Sequence, residues 1–176
     1  DYLGTEPEEI EEFTNSLLGK LAELNNSGYR IIDFNVANKI RNLIVRPDDN
    51  ICNSKGCMGG KGLVSFDKNG RIYPCEMSDY PEECIGNIGS GTDLCENIKK
   101  AQKTHTFYKT KKADICDTCP WWYYCRGGCS STVKFTSSEV CGIDAGECDV
   151  NRILYPKLVR LILDDEDTAL RIAGLK

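Results

Sequence analysis

The chain has 176 residues, of which 40% are apolar, and a formal net charge of −5. That length suits one ordinary core with an additional helical arm and is short for two full cores. The charge balance carries no basic stripe interleaved with aromatics, which disfavours nucleic acid as a partner, and no apolar run is long enough to span a bilayer.

Thr5 and Glu8 form a capping-box pattern ahead of Ile10, Phe13, Leu17, Leu18, Leu21 and Leu24, so a first amphipathic helix is predicted to about Asn25. Asn25-Asn26-Ser27-Gly28 is a stop signal, and Phe34, Ala37, Ile40, Leu43 and Ile44 predict a second helix closed by Pro47. This arm needs something to pack on. Asp48 to Gly60 is polar, bears glycine and reads as loop. Residues 62–66 and 71–75 are strand-like, and Asp67-Lys68-Asn69-Gly70 between them is hairpin chemistry, because Asn and Gly tolerate positive φ. Thr92 or Asp93 can cap a third helix carrying Leu94, Cys95, Ile98 and Ala101. After Cys148, the residues Ile153, Leu154, Leu158, Leu161 and Ile162 predict a final helix, with Pro156 either kinking it or marking its first turn. Asp164 to Asp167 breaks it, and a further turn or two is expected between Thr168 and Leu175.

Eleven cysteines are the outstanding feature, at 52, 57, 75, 84, 95, 116, 119, 125, 129, 141 and 148. An odd count argues against a closed disulfide framework. Asp1-Tyr2-Leu3-Gly4 has neither the basic start nor the apolar stretch of a signal peptide, so a soluble, cytoplasmic protein is expected, where clustered cysteines bind metal more often than they pair. The start at Asp1, without a Met, reads as that of a fragment. Cys116-x2-Cys119-x5-Cys125-x3-Cys129 supplies more thiolates than one zinc ion can use once Cys57, Cys75 and Cys148 are added, which implies two metal centres. Trp121, Trp122, Tyr123 and Tyr124 lie inside the run, where their rings can keep water from a sulfur-rich centre or simply form the core of a small domain. The pair Cys116 and Cys119 is by itself compatible with zinc as well as iron–sulfur.

The whole order, Cys57-x12-Gly70-x4-Cys75, then Cys116-x2-Cys119-x5-Cys125-x3-Cys129, then Cys148, resembles the seven-cysteine SPASM pattern of radical S-adenosylmethionine (SAM) enzymes that modify peptides or proteins. Tyr73-Pro74-Cys75, Ile85-Gly86-Asn87-Ile88 and Cys125-Arg126-Gly127-Gly128-Cys129 add to the resemblance, which covers roughly 52–163. It implies an α+β fold, a small irregular cysteine-rich domain with a β-hairpin and two [4Fe–4S] clusters over 48–176. Residues 1–47 would be a helical arm, the end of a truncated catalytic barrel plus the bridging region. By the same resemblance Cys57, Cys75 and Cys129, with Cys52 as fourth ligand, hold one cluster, and Cys116, Cys119, Cys125 and Cys148 hold the other. If Cys52 does not bind, one iron stays open to a substrate thiolate. Cys148 is preferred to Cys141 as the last ligand because it is read as directly preceding the final helix.

The Cys-x3-Cys-x2-Cys triplet that such enzymes use to cleave SAM is not in these residues: Cys125-x3-Cys129 begins like it, but Ser130-Ser131-Thr132 follows. The resemblance therefore implies that this segment does not itself cleave SAM, but carries electrons and helps to position the substrate. SAM and a third [4Fe–4S] cluster would belong to the full-length enzyme. The implied partners are a ribosomally made peptide or protein, with thioether formation one attractive chemistry, and a flavodoxin-like or ferredoxin-like electron donor. The lysines at 99, 100, 103, 109, 111 and 112 could attract an acidic partner or be a solvated face. Cys84 and Cys95 are expected to be buried small hydrophobes, and His105 a surface residue. The rival reading from another class is a zinc-binding interaction module without redox function.

Overall fold

A computed structural model describes residues 6–45, 52, 57–78, 80–91, 93–104, 112–136 and 143–176. The polypeptide is mostly helical with one small antiparallel sheet, consistent with an α+β class. Helix α1 spans Pro7–Asn26 and α2 spans Phe34–Ile44. Pro7 occupies the first turn of α1, where a missing N–H costs nothing, and Glu6 precedes it without a side-chain cap. The capping box expected from Thr5 lies outside the described residues, as does Pro47. Asp33 caps α2 by accepting from the Val36 N–H at 2.9 Å. Between the helices, buried Asn25 donates to the carbonyls of Leu21 and Ile31, both at 2.9 Å, and so fixes the turn.

The arm packs on the C-terminal helices, α6 over Ala145–Asp164 and α7 over Glu166–Ile172. Leu21, Val36, Ile40, Leu154, Leu158, Ile172 and Ala173 form the largest buried apolar cluster, so the two ends of the chain share one core. Two expectations about faces fail here. Phe13 and Phe34 are exposed, and α2 instead buries Val36 together with the polar side chains of Lys39 and Asn42. The final helix also starts earlier than expected: Asp144 caps it, Cys148 lies in its first turn rather than before it, and Pro156 sits inside it. Pro156 is on the solvent side beside exposed Arg152, whose carbonyl can turn to water where the proline withholds its donor.

The sheet holds β1 (Ser65–Phe66), β2 (Arg71–Tyr73) and β3 (Gly86–Asn87) in that order, antiparallel throughout. The hairpin forms at the expected turn. The Asp67 carboxylate accepts from the N–H groups of Asn69 and Arg71 at 2.8 and 2.9 Å, and Gly70 takes a φ of +74°. The third strand was not expected. It pairs Ile72 with Gly86 and closes a second, small core of Ile72, Ile85 and Ala101, the last from α3 over Leu94–Thr104. Asp93 opens α3 by accepting from the Cys95 N–H at 2.8 Å. Among the described residues no helix is long and apolar enough to cross a membrane.

Candidate metal centre

Local backbone geometry gathers the cysteines. A 3-10 turn over Asp114–Cys116 leads to Cys119, and α4 (Trp122–Cys125) ends where Arg126, Gly127 and Gly128 all take positive φ. That reversal delivers Cys129 to the head of α5, Ser130–Thr136. The Asp144 N–H donates to the Gly127 carbonyl at 3.0 Å, which ties the reversal to the first turn of α6 and hence to Cys148. On the other side, the Gly60 N–H donates to the Pro74 carbonyl at 2.8 Å, laying the Cys57 segment along the end of β2. Cys75 then meets α5 through its sulfur, 3.9 Å from the Ser131 hydroxyl.

Two cavities result. The first, about 240 Å³, has Cys52, Cys57, Cys75, Cys125 and Cys129 in its wall, with Lys39, Glu147 and Asn151. The second, about 300 Å³, has Cys116, Cys119 and Cys148 in its wall, with Trp121 and Arg152. Desolvation pushes the thiols of Cys75, Cys116 and Cys148 up, and that of Cys52 as well, although Cys52 is itself exposed at the cavity's edge. Neighbouring thiols add to the effect: Cys57 and Cys129 at Cys52, Cys57 at Cys75, Cys125 and Cys119 at Cys116, and Cys125 and Cys116 at Cys148. These neighbourhoods separate 52, 57, 75 and 129 from 116, 119, 125 and 148. Cys125 is the exception in lining: it lies in the wall of the first cavity while it acts on the thiols of Cys116 and Cys148, so it stands between the two groups.

The fit of such a donor set to iron–sulfur groups rests on its chemistry. Thiolates packed in a low-dielectric wall repel, and they ionise together only beside cations. Each cavity is wider than one ion needs, and among the described residues no three Cys, His, Asp or Glu side chains converge closely enough to grip a single ion.

Cys84 is half-buried and donates to the Gly86 carbonyl at 3.2 Å, apart from both cavities. Cys95 is exposed on α3, which corrects the expectation that it is a buried small hydrophobe: Leu94 and Ile98 take the apolar side instead. Cys141 and His105 lie outside the described residues, with Lys109 and Lys111. Lys99, Lys100 and Lys103 are exposed, whereas Lys112 pairs with Asp117 at 2.8 Å and lies 4.9 Å over the Trp122 ring.

A supporting polar shell was not anticipated. Lys39, almost fully buried, donates to Glu147 at 2.7 Å, and Asn151 donates to Glu147 at 3.1 Å and to the Cys125 sulfur at 3.3 Å. Tyr155 is buried against them, stacked on Trp121 at 5.3 Å and tilted to Tyr124 at 5.8 Å, and burial pushes its phenol strongly up. A lysine on the apolar face of α2 and an Asn and a Tyr at helical spacing from Cys148 were the available signals.

No family model matches the chain, and no curated protein matches it. Solved structures do. A structure of native anSMEcpe with bound AdoMet aligns over 90% of this chain with a TM-score of 0.66 at 15% identity, covering 44% of that chain. A hexahistidine-tagged form with bound AdoMet aligns over 96% at 14% identity and a TM-score of 0.63, again covering 44% of it. Native anSMEcpe with bound AdoMet and Cp18Cys peptide aligns over 91% at 15% identity and a TM-score of 0.61. This chain thus shares the fold of a region of anSMEcpe and spans less than half the length of the structures it matches.

Proposed function

We propose that this chain is the auxiliary-cluster region of a radical SAM enzyme that matures peptides, a SPASM domain over 48–176 with a bridging arm over 1–47. Cys52, Cys57, Cys75 and Cys129 hold one [4Fe–4S] cluster, and Cys116, Cys119, Cys125 and Cys148 hold the other. The observation that carries the reading is that seven of the eight thiols lie in the walls of two cavities as the resemblance groups them, Cys125 alone lining the first cavity instead of the second. The shared fold supports it, since the matched structures bind AdoMet and, in two cases, a peptide.

When bound, such clusters accept and pass single electrons. The chain's own residues hold them and keep them dry: Trp121, Tyr124 and Tyr155 pack between α4 and α6, and a dry wall sets potential and slows oxygen attack. Cys52 lies in the wall of the first cavity, which favours a fully ligated cluster over one with an iron open to a substrate thiolate. The substrate is then a ribosomally made peptide, the donor a flavodoxin-like or ferredoxin-like protein, the compartment the cytoplasm, and SAM cleavage belongs to the remainder of the enzyme.

Anaerobic reconstitution followed by iron, acid-labile sulfide and zinc analysis tests this. Two cubanes' worth of iron and sulfide with brown absorption is the expected result. Colourless protein with tightly bound zinc would establish the interaction-module reading instead.

A further inference from the structure

Asn151 is 2% exposed and reaches across from α6 to the sulfur of Cys125, the cysteine that stands between the two cavities. Both amide hydrogens are committed, one to Cys125 at 3.3 Å and one to Glu147 Oε1 at 3.1 Å. Turning the amide over would aim its oxygen at that carboxylate and lose both bonds, so the donor orientation is fixed by the neighbours. Glu147 is held in turn by the Lys39 ammonium at 2.7 Å, from the opposite helix α2. The relay Lys39, Glu147, Asn151, Cys125 therefore ends in an N–H aimed at a ligand sulfur, inside a wall where little water competes.

Resting on the function proposed above, we propose that Asn151 is a positioning residue that raises the reduction potential of the cluster held by Cys116, Cys119, Cys125 and Cys148. Adding one electron makes the cluster and its thiolates more negative, and a donor already aimed at sulfur stabilises that state more than the oxidised one. The Lys39–Glu147 pair fixes the amide and sets the local charge. Neither residue need touch substrate for this, and Asn151 becomes the side chain through which α2 and α6 separate the potentials of two otherwise similar sites.

The test uses the anaerobically reconstituted chain, titrated with dithionite and followed by electron paramagnetic resonance, in two near-isosteric variants. Asn151→Leu removes the donors without setting a second carboxylate beside Glu147, and is expected to cut the reduced-to-oxidised ratio of one cluster about tenfold at fixed potential, near 59 mV downward for a one-electron couple. Glu147→Gln removes a negative charge and leaves the Lys39 cation beside the site, and is expected to shift the same couple upward. Each variant is read only against its own iron and sulfide content, and whichever retains the wild-type content must show its stated sign. Unmoved midpoints at wild-type content overturn the proposal, and so do shifts of the same sign in both variants, which mere loosening of the wall would give. A wild-type chain that takes up no iron and sulfide fails at the earlier step, and with it the reading on which this rests.

Discussion

Gly128→Ala should damage the centre through α6 rather than through the cysteines on either side. Gly128 has a φ of +83°, and a Cβ there would stand 2.5 Å from the Asp144 Cβ. No rotamer relieves that contact, because Asp144 Cβ is bonded to its own backbone. Asp144 is also the cap of α6, accepting from the Glu147 N–H at 3.1 Å, and its own N–H holds Gly127. The left-handed conformation costs an alanine about 1–2 kcal/mol, and a displaced cap adds about 1 kcal/mol, so a loss near 2–3 kcal/mol is expected. For a chain of this size that is roughly 5–10 °C in thermal midpoint, compared at equal iron loading and scan rate. Gly127→Ala is the control, since its Cβ would meet only Trp122 Cζ3 at 3.4 Å and should cost the backbone strain alone. The decisive step is a double mutant. Asp144→Gly removes the colliding Cβ and, glycine being a tolerable N-cap, costs only a few tenths of a kcal/mol, so in that background Gly128→Ala should lose about 1 kcal/mol less than alone. Equal cost in both backgrounds would refute the collision argument.

Serine at Cys116, Cys119, Cys125 or Cys148 should remove about half the iron by damaging one cluster, while Cys84→Ser and Cys95→Ser leave it near wild type, as read by iron and sulfide analysis. Loss of iron in Cys141→Ser with none in Cys148→Ser would transfer the last ligand to Cys141. Leu158→Ala, fully buried in the helical core, should cost about 2–5 kcal/mol in thermal or chemical denaturation. Asn25→Ala should cost about 1–3 kcal/mol by orphaning the Ile31 carbonyl, and faster amide exchange at the α1–α2 turn would locate the loss. Asp165 caps α7, and its hydrogen bonds from Thr168 hold its carboxyl below the usual range. A depressed folded value means that its contribution is complete above the unfolded carboxylate range and is lost as pH falls through the folded value. Thr168 amide protection should therefore fall under acid conditions and be unchanged between neutral and mildly alkaline pH.

What the sequence made legible follows from which signals are local. The helices of the arm and the hairpin turn at Asp67 to Gly70 are written in stop residues and periodicity, and they occur where those signals stand. The strand Gly86–Asn87 carries no such signal. Two residues with a glycine cannot show alternation, and only pairing with Ile72 makes them a strand. Phe13 and Phe34 misled for a related reason, since periodicity gives the spacing of an apolar face but not which of two overlapping faces meets the core. Here α2 turns Ala37 and Ile40 inward with Lys39 and Asn42 beside them, because Glu147 and Tyr155 supply the polar partners that make those burials tolerable.

The same logic divides the candidate site. Cysteine spacing along the chain nominates the thiols proposed as ligands, because metal chemistry tolerates few substitutes, but it says nothing of what holds them. That support depends on the phase of α6. With the helix assumed to start after Cys148, only Asn151 and Tyr155 share a face, and Cys148 has no set direction relative to them. With its start at Ala145, all three fall at i, i+3 and i+7, one stripe of one face. The stripe meets Cys125, Trp121 and Lys39. The cap at Asp144 therefore does more than begin a helix: starting α6 there sets Cys148 on the same stripe as Asn151, whose amide reaches the Cys125 sulfur.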